Sequence, residues 1–412
     1  MRRSGVSSIL LAVIALAAGG LRAAAGVPKV LHSFGIGRGG NNLYGGLILD
    51  AAGNLYGVAE SGGRYGQGVV FELSPGSGGG WTETVLYSFR GGQDGASPHA
   101  TLAWDVAGNL YGTTVGGGGT ACGRGCGVVF RLTPAGGEWT ESVLHQFMGG
   151  ADGQVPYPGV AVDAAGKVYG GTTGGGAGGL GTVYRLAPNS AGGWDYTVLH
   201  SFTGRPDGAT LYATPVLDAA GNVYGTTYAG GAHNQGAVFA ITPAANGGWT
   251  EHILYSFQGG ADGANPMAPV TFGQHGTLYG TTEAGGSANC GTAYRLARDQ
   301  AGAWHETLLH AFLGILAQDG ENPNGLILDA HGNLYGTSLG GGVDNPGTIF
   351  ELSPNPDGSW TETVLYSFTG GLDGAYPSAG LAMDAAGNFY GTTLWGGPSG
   401  DTTGGVAFEY AR

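Results

Sequence analysis

Carboxylates, rings and thiols that could do chemistry are few in this chain, and most of them recur at fixed intervals. Asp94, Asp152, Asp207, Asp262, Asp319 and Asp373 occupy equivalent places in six Asp-Gly loops, with Gly39 in that place in the first unit. A ring of carboxylates could hold cations or accept hydrogen bonds from sugar hydroxyls. Asp-Gly is also ordinary turn chemistry, and a residue wanted in every unit serves the unit. A second series, Asp50, Asp105, Asp163, Asp218, Asp329 and Asp384, opens Asp-x-x-Gly-Asn turns, with Lys167 replacing the Asn once, and it lacks the alternating carboxylates of a calcium loop. Trp81, Trp139, Trp194, Trp249, Trp304 and Trp360 begin one strand in six units, where regular repetition favours a wedge between units over sugar stacking. His32, His145, His200 and His310 share a position with Tyr87, Tyr255 and Tyr366; a place that accepts either ring is read as packing rather than imidazole chemistry.

Residues that break the repeat say more. His99, Tyr157, Tyr212, Met267, Asn324 and Ser378 follow the Asp-Gly loops at one variable position, and Trp395 stands in a glycine-rich loop where other units carry Ser61, Gly116, Ala229, Ala284 or Gly340. Trp395, Tyr157, Tyr212 and His99 are therefore the expected ligand contacts, since aromatic rings stack on sugars and peptides. Glu60 and Glu283, together with His99, could supply the acid and base of a lyase or hydrolase. No catalytic residue is assigned, and no cofactor or metal site is expected: Gly35-x-Gly37-x-x-Gly40 matches a dinucleotide fingerprint only formally, with no helix after it. Cys122 and Cys126 flank Gly-Arg-Gly and are expected to form a local disulfide after export, leaving Cys290 odd; a zinc site would need a second ligand pair.

The elements that must position these groups follow from a repeat. A Tyr-Gly pair recurs at Tyr56, Tyr111, Tyr169, Tyr224, Tyr279, Tyr335 and Tyr390, spaced by 55, 58, 55, 55, 56 and 55 residues. Each unit holds four short strand-like runs separated by Gly, Pro, Asp and Asn; in the second unit they are 101–105, 109–114, 128–132 and 139–147. Four antiparallel strands repeated seven times predict an all-β, seven-bladed β-propeller. The chain begins with a fourth strand that has no first three, Lys29 to Phe34, and ends with a unit that lacks its fourth. The N-terminal strand is thus expected to pair with the last three and seal the ring, which removes an open edge. Asp-Gly and glycine-rich loops should share one face, and the short Asp-x-x-Gly-Asn hairpins the other.

Residues 1–25 read as a secretory signal peptide, with Arg2 and Arg3 before an apolar core and Ala23 to Ala25 at the cleavage site, leaving 26–412 as one propeller domain. Losing Arg2, Arg3 and Arg22 takes the formal net charge from −14 to −17, a surface that repels nucleic acid and anionic lipid. No later apolar run is long enough to span a membrane. The unit, seen most fully from Gly325 to Pro377 with Asp329-Ala-His-Gly-Asn-Leu-Tyr-Gly-Thr337 and Trp360-Thr-Glu-Thr-Val-Leu-Tyr-Ser-Phe368, resembles the GloVer tandem repeat of exported bacterial proteins of the choice-of-anchor type. The resemblance covers the chain after the leader and implies an extracellular location and tandem organisation; it brings no established activity. The expected protein is a secreted or periplasmic monomer acting as a non-catalytic carbohydrate- or protein-binding module. A polysaccharide or small-molecule lyase or hydrolase with its site at the channel mouth, and a structural cell-envelope protein, are the alternatives.

Overall fold

A computed structural model describes residues 26–35, 37, 39–245, 247–397 and 404–412; the leader expected at 1–25 lies outside the described residues. Among the described residues seven antiparallel blade sheets follow one another along the chain, with a separate two-stranded pair, Gly208–Ala209 with Ala229–Gly230, in the fourth unit. In the first blade the strands are Ile48–Leu49, Leu55–Ala59, Val69–Pro75 and Trp81–Ser88, hydrogen-bonded in that order. The next five blades repeat this pattern over 103–146, 160–201, 216–256, 271–311 and 327–367. The Tyr-Gly landmark has a packing cause. A Cβ on Gly112 would meet Phe130 Cζ of the third strand at 2.5 Å, and the same crowding recurs at Gly57, Gly225, Gly336 and Gly391, so a ring on strand three fills the space that glycine leaves on strand two.

The seventh blade is Ala382–Met383, Phe389–Thr392 and Gly405–Tyr410, and its fourth strand is Lys29–Phe34. The register runs antiparallel from Lys29 opposite Glu409 to Phe34 opposite Gly405. Leu31 and Phe34 then enter the apolar cluster of Leu43, Leu47, Phe71 and Tyr390, so the N-terminal strand joins the last blade to the first. This is the closure expected from the split unit.

Blades are held to each other by matching contacts. Trp139 lies edge-on to Tyr56 of the preceding blade with ring centroids 6.5 Å apart, and Trp194, Trp249 and Trp360 meet Tyr111, Tyr169 and Tyr279 in the same way. The tryptophans are wedges. Hydroxyls on the second strand reach into the next blade: Thr113 donates to Pro158 O, Thr226 to Ala268 O, Thr337 to Ala379 O and Thr392 to Gly45 O across the closure.

Both aspartate series serve turns. Asp50 Oδ1 accepts the N–H groups of Ala52 and Asn54 while Oδ2 accepts from Asn54 Nδ2 and the Tyr56 hydroxyl, and Asp105, Asp218 and Asp384 repeat the arrangement. Burial alone would raise these carboxyls, but the hydrogen bonds hold all four below the ordinary range. In the Asp-Gly loops each carboxylate accepts the backbone N–H of a residue upstream, as Asp152 does from Met148 at 2.7 Å and Asp373 from Thr369 at 2.8 Å.

Here the packing interpretation of the His/Tyr position needs correction. Those rings also donate to the loop aspartates: His145 to Asp152 at 3.1 Å, His310 to Asp319 at 2.9 Å, Tyr366 to Asp373 at 2.8 Å. What the two ring types share is a hydrogen on a ring-borne N or O. A β-bulge one residue earlier, at Val143/His145 and its equivalents, turns each ring towards its aspartate. In the first unit, where Gly39 replaces the aspartate, His32 instead meets Glu83 of the neighbouring blade at 3.4 Å.

Candidate functional site

The site begins with a backbone conformation. Asn42, Ser97, Val155, Thr210, Asn265, Asn322 and Tyr376 all have φ between 52° and 61°, one in each unit and each two residues before the variable position. For β-branched Val155 and Thr210 the left-handed region costs roughly 1–3 kcal/mol, so the surroundings must hold it. They do so from the preceding blade: the N–H of Ser97 donates to Gln67 O, that of Val155 to Cys126 O, and that of Tyr376 to Pro346 O, all at 2.8 Å. The proline that follows in most units closes the clasp. Pro156 Cδ lies where a Cβ on Gly127 (φ 93°) would come within 2.3 Å, and Pro98, Pro266, Pro323 and Pro377 press on Gly68, Gly236, Gly291 and Gly347 likewise.

Two residues past the strained position the chain reaches the axis. Tyr44, His99, Tyr157, Tyr212, Met267, Asn324 and Ser378 line a cavity of about 510 Å³ at the centre of the ring. Leu47, Leu102, Val160, Leu326, Leu339, Leu381 and Leu394 form much of its apolar wall. Three of the four expected contacts therefore stand together. Their rings form an arc across the first four blades: Tyr44 stacks on His99 at 4.1 Å, His99 meets Tyr157 at 4.0 Å, Tyr157 meets Tyr212 edge-on at 5.0 Å, and Tyr212 meets Tyr228 at 5.4 Å. The other three blades place Met267, Asn324 and Ser378 there instead; Asn324 Nδ2 donates to Pro377 O at 2.7 Å and the Ser378 hydroxyl to Leu43 O at 3.1 Å.

Trp395 is apart from this group. It bridges Ala375 at the edge of the last blade and lies against Tyr376 with centroids 4.9 Å apart, 41% exposed. Its neighbour Leu394 lines the cavity, and successive side chains of an extended segment point to opposite sides. Tyr44 and Tyr228 were missed from sequence. Aligning Leu43-Tyr44 with Pro98-His99, and Tyr228 with Glu60 and Glu283, each four residues after the Tyr of a Tyr-Gly pair, would have found both.

Carboxylates lie at both ends of the arc. Burial raises the Glu60 carboxyl above its ordinary value, while Arg124 and Asn42 pull it back; burial likewise raises Glu283, and the Tyr228 hydroxyl beside it lowers it. Arg124 is held in the short loop between Cys122 and Cys126, whose sulfurs are joined with Cα atoms 5.1 Å apart. His99 is 8% exposed between two tyrosines, and burial pushes its pKa down to about 3. It is a neutral ring at physiological pH. Burial, then the neighbouring tyrosines and Glu60, raise the Tyr157 hydroxyl, which stays protonated.

Elsewhere His200, Asp207 and Glu251, and likewise His310, Asp319 and Glu362, bring ligand-type atoms within 4.8 Å. Asp207 and Asp319 are already engaged there by imidazole and backbone N–H donors. Among the described residues no helix is long and apolar enough to cross a membrane.

Fold and site together define a seven-bladed β-propeller whose loops converge on an aromatic channel mouth. The chain belongs to the Gloeobacter/Verrucomicrobia repeat family, whose model matches residues 20–212, 120–315 and 246–412. No curated protein matches it. Among solved structures it is similar to a Lactobacillus plantarum protein (17% identity, TM-score 0.52, covering 87% of this chain and 96% of that one). It is also similar to a Bacteroides uniformis protein provisionally described as a 6-phosphogluconolactonase (14%, 0.51, 84% and 88%) and to an ancestral GH74 enzyme (13%, 0.55, 93% and 48%). At these identities the likeness is one of fold.

Proposed function

We propose that this protein is an exported, non-catalytic binding module that receives a small carbohydrate, or the end of a glycan chain, in the mouth of its central channel. One observation carries the reading: a ring of positions at which the repeat is free to vary faces the cavity, and four of its seven members are aromatic. A concave, largely apolar site with a few oriented polar groups suits a small ligand better than a flat protein partner. Tyr157, Tyr212 and Tyr44 supply hydroxyls and ring edges; Glu60 and Glu283 would accept hydrogen bonds from sugar hydroxyls. Because both faces of His99 are covered by Tyr44 and Tyr157, its role is to support the arc rather than to stack on ligand. A neutral imidazole with a pKa of about 3 is also poorly matched to general acid–base work near neutrality, which weighs against the lyase or hydrolase reading.

Extracellular or periplasmic residence rests on the leader at 1–25, and the scarcity of cationic groups argues against nucleic acid as partner. The test is a glycan array on the mature protein followed by calorimetry on any hit. Tyr157→Ala and Tyr212→Ala should each weaken binding about tenfold, while Trp395→Ala leaves it unchanged. A glycan bound equally by the Tyr157, Tyr212 and wild-type proteins would place the site elsewhere.

A further inference from the structure

Outside the channel, one arrangement recurs at the seams between blades on the Asp-Gly side. In five blades the fourth strand carries, two residues after its tryptophan, a side chain directed at the Asp-Gly loop of the blade before: Glu141 towards Asp94, Tyr196 towards Asp152, Glu251 towards Asp207, Glu306 towards Asp262 and Glu362 towards Asp319. In all four glutamates Oε1 is buried without a hydrogen-bond partner. An ionised glutamate would thus place an unpaired buried oxygen opposite a second carboxylate, which is an unfavourable arrangement twice over.

The exception indicates what the position takes. At the Asp152 seam the residue is Tyr196, a neutral hydroxyl, and it donates to Asp152 O at 2.5 Å while stacking on His145 at 3.9 Å. The same place in the ring is therefore filled by a neutral O–H donor in one seam and by glutamate in five; the fifth, Glu83, stands where Gly39 replaces the loop aspartate and meets His32 instead of a carboxylate.

From this geometry we infer that Glu141, Glu251, Glu306 and Glu362 are protonated carboxylic acids in the folded protein in mildly acidic surroundings, and that their four seams form a proton-dependent latch between blades. Each acid is neutral and can donate where Tyr196 donates; deprotonation releases the proton to solvent and leaves two carboxylates facing each other across the seam. The surrounding charges are consistent. Burial first, and then Asp94, Asp207 and Asp319 respectively, raise Glu141, Glu251 and Glu362 to about 7, against the smaller opposing pulls of Arg90, His200 and His310. Burial and then Asp262 raise Glu306 to about 7, with Tyr255 and the buried Tyr294 also facing it. Since the folded pKa lies above the unfolded one, this contribution to stability is complete below the unfolded value of about 4.5 and is lost as pH rises through about 7. The propeller is tighter in mildly acidic surroundings than in alkaline ones.

The experiment is thermal melting of the whole protein from pH 5.5 to 8.5 in the presence of chelator, for wild type and for the variant with Glu141, Glu251, Glu306 and Glu362 all changed to Gln, the neutral isostere. Wild type should melt roughly 5 °C lower at pH 8.5 than at pH 5.5, and the Gln variant should lose most of that difference by melting higher at the alkaline end. An equal pH dependence in both proteins overturns the proposal. So does a wild type stabilised at pH 8.5 by added calcium or zinc in a way that the Gln variant is not, because a cation rather than a proton would then bridge the carboxylates. Should the fourfold variant not fold, carbon-13 carboxyl shifts of glutamate-labelled wild type and of the four single Gln variants decide the matter. Four midpoints above pH 6, each removed by one substitution, support the latch, and midpoints near 4.5 for all glutamates refute it.

Discussion

Deleting residues 26–34 tests the closure most severely. The segment contributes two buried side chains, Leu31 and Phe34, 7% and 3% exposed, to the cluster shared by the last and first blades. Burial of each is worth about 2 kcal/mol. Five positions pair with Gly405–Tyr410, and at about 1 kcal/mol net per ladder hydrogen bond the pairing adds a similar amount. The sum, about 8–9 kcal/mol, is of the order of a whole domain's stability of about 5–15 kcal/mol. The truncated protein should therefore lose its cooperative melting transition, or associate through the newly bared edge of Gly405–Tyr410, whose Val406, Ala407 and Phe408 are fully buried in the intact ring. Calorimetry and light scattering report the two outcomes. A synthetic peptide of residues 27–36 should restore the transition by taking the vacant strand position. A truncated protein that stays monomeric and melts like wild type would refute the closure argument.

Three further expectations are more local. Gly127→Ala should cost more than about 3 kcal/mol, since a Cβ there meets Pro156 and Thr114 O within 2.4 Å, whereas Gly136→Ala, equally left-handed but in open space, should cost about 1 kcal/mol; equal denaturation midpoints would contradict the clasp. The His99 ring should not titrate between pH 8 and pH 4 by NMR, because burial holds it near 3; a midpoint near 6.5 would show that the stacked, buried arrangement is wrong. Unreduced peptide mapping should recover Cys122 and Cys126 linked, and reduction should lower stability by about 2 kcal/mol, as a loop this short implies; two free thiols in protein purified without reductant would oppose it.

The ring and its seal were readable in sequence because both depend on local, repeated features: a Tyr-Gly pair that needs glycine beside a third-strand ring, and a unit split between the two ends of the chain. The channel position was readable wherever an Asp-Gly loop and a proline marked it. Tyr44 escaped because Gly39 and Leu43 stand where its unit would carry those marks, and Tyr228 because it arrives from a different strand. The donor role of the His/Tyr position could not be seen, since it depends on a bulge that turns the ring and on a loop that folds back seven to nine residues later. Trp395 was a true departure from the repeat, but which way its side chain points depends on strand parity at a loop edge, and that parity puts Leu394 at the cavity instead.

The left-handed residue that precedes each channel position has a consequence for what can be made of this molecule. In six of the blades backbone direction at the axis is dictated from outside, by an N–H bond to the preceding blade, so the identity of the side chain two residues on has little say in where it points. The ring has already tried tyrosine, histidine, methionine, asparagine and serine there without altering the frame. It is in effect a seven-place register with independent settings, and a library randomised at those seven codons alone would sample new channel chemistries on an unchanged chassis.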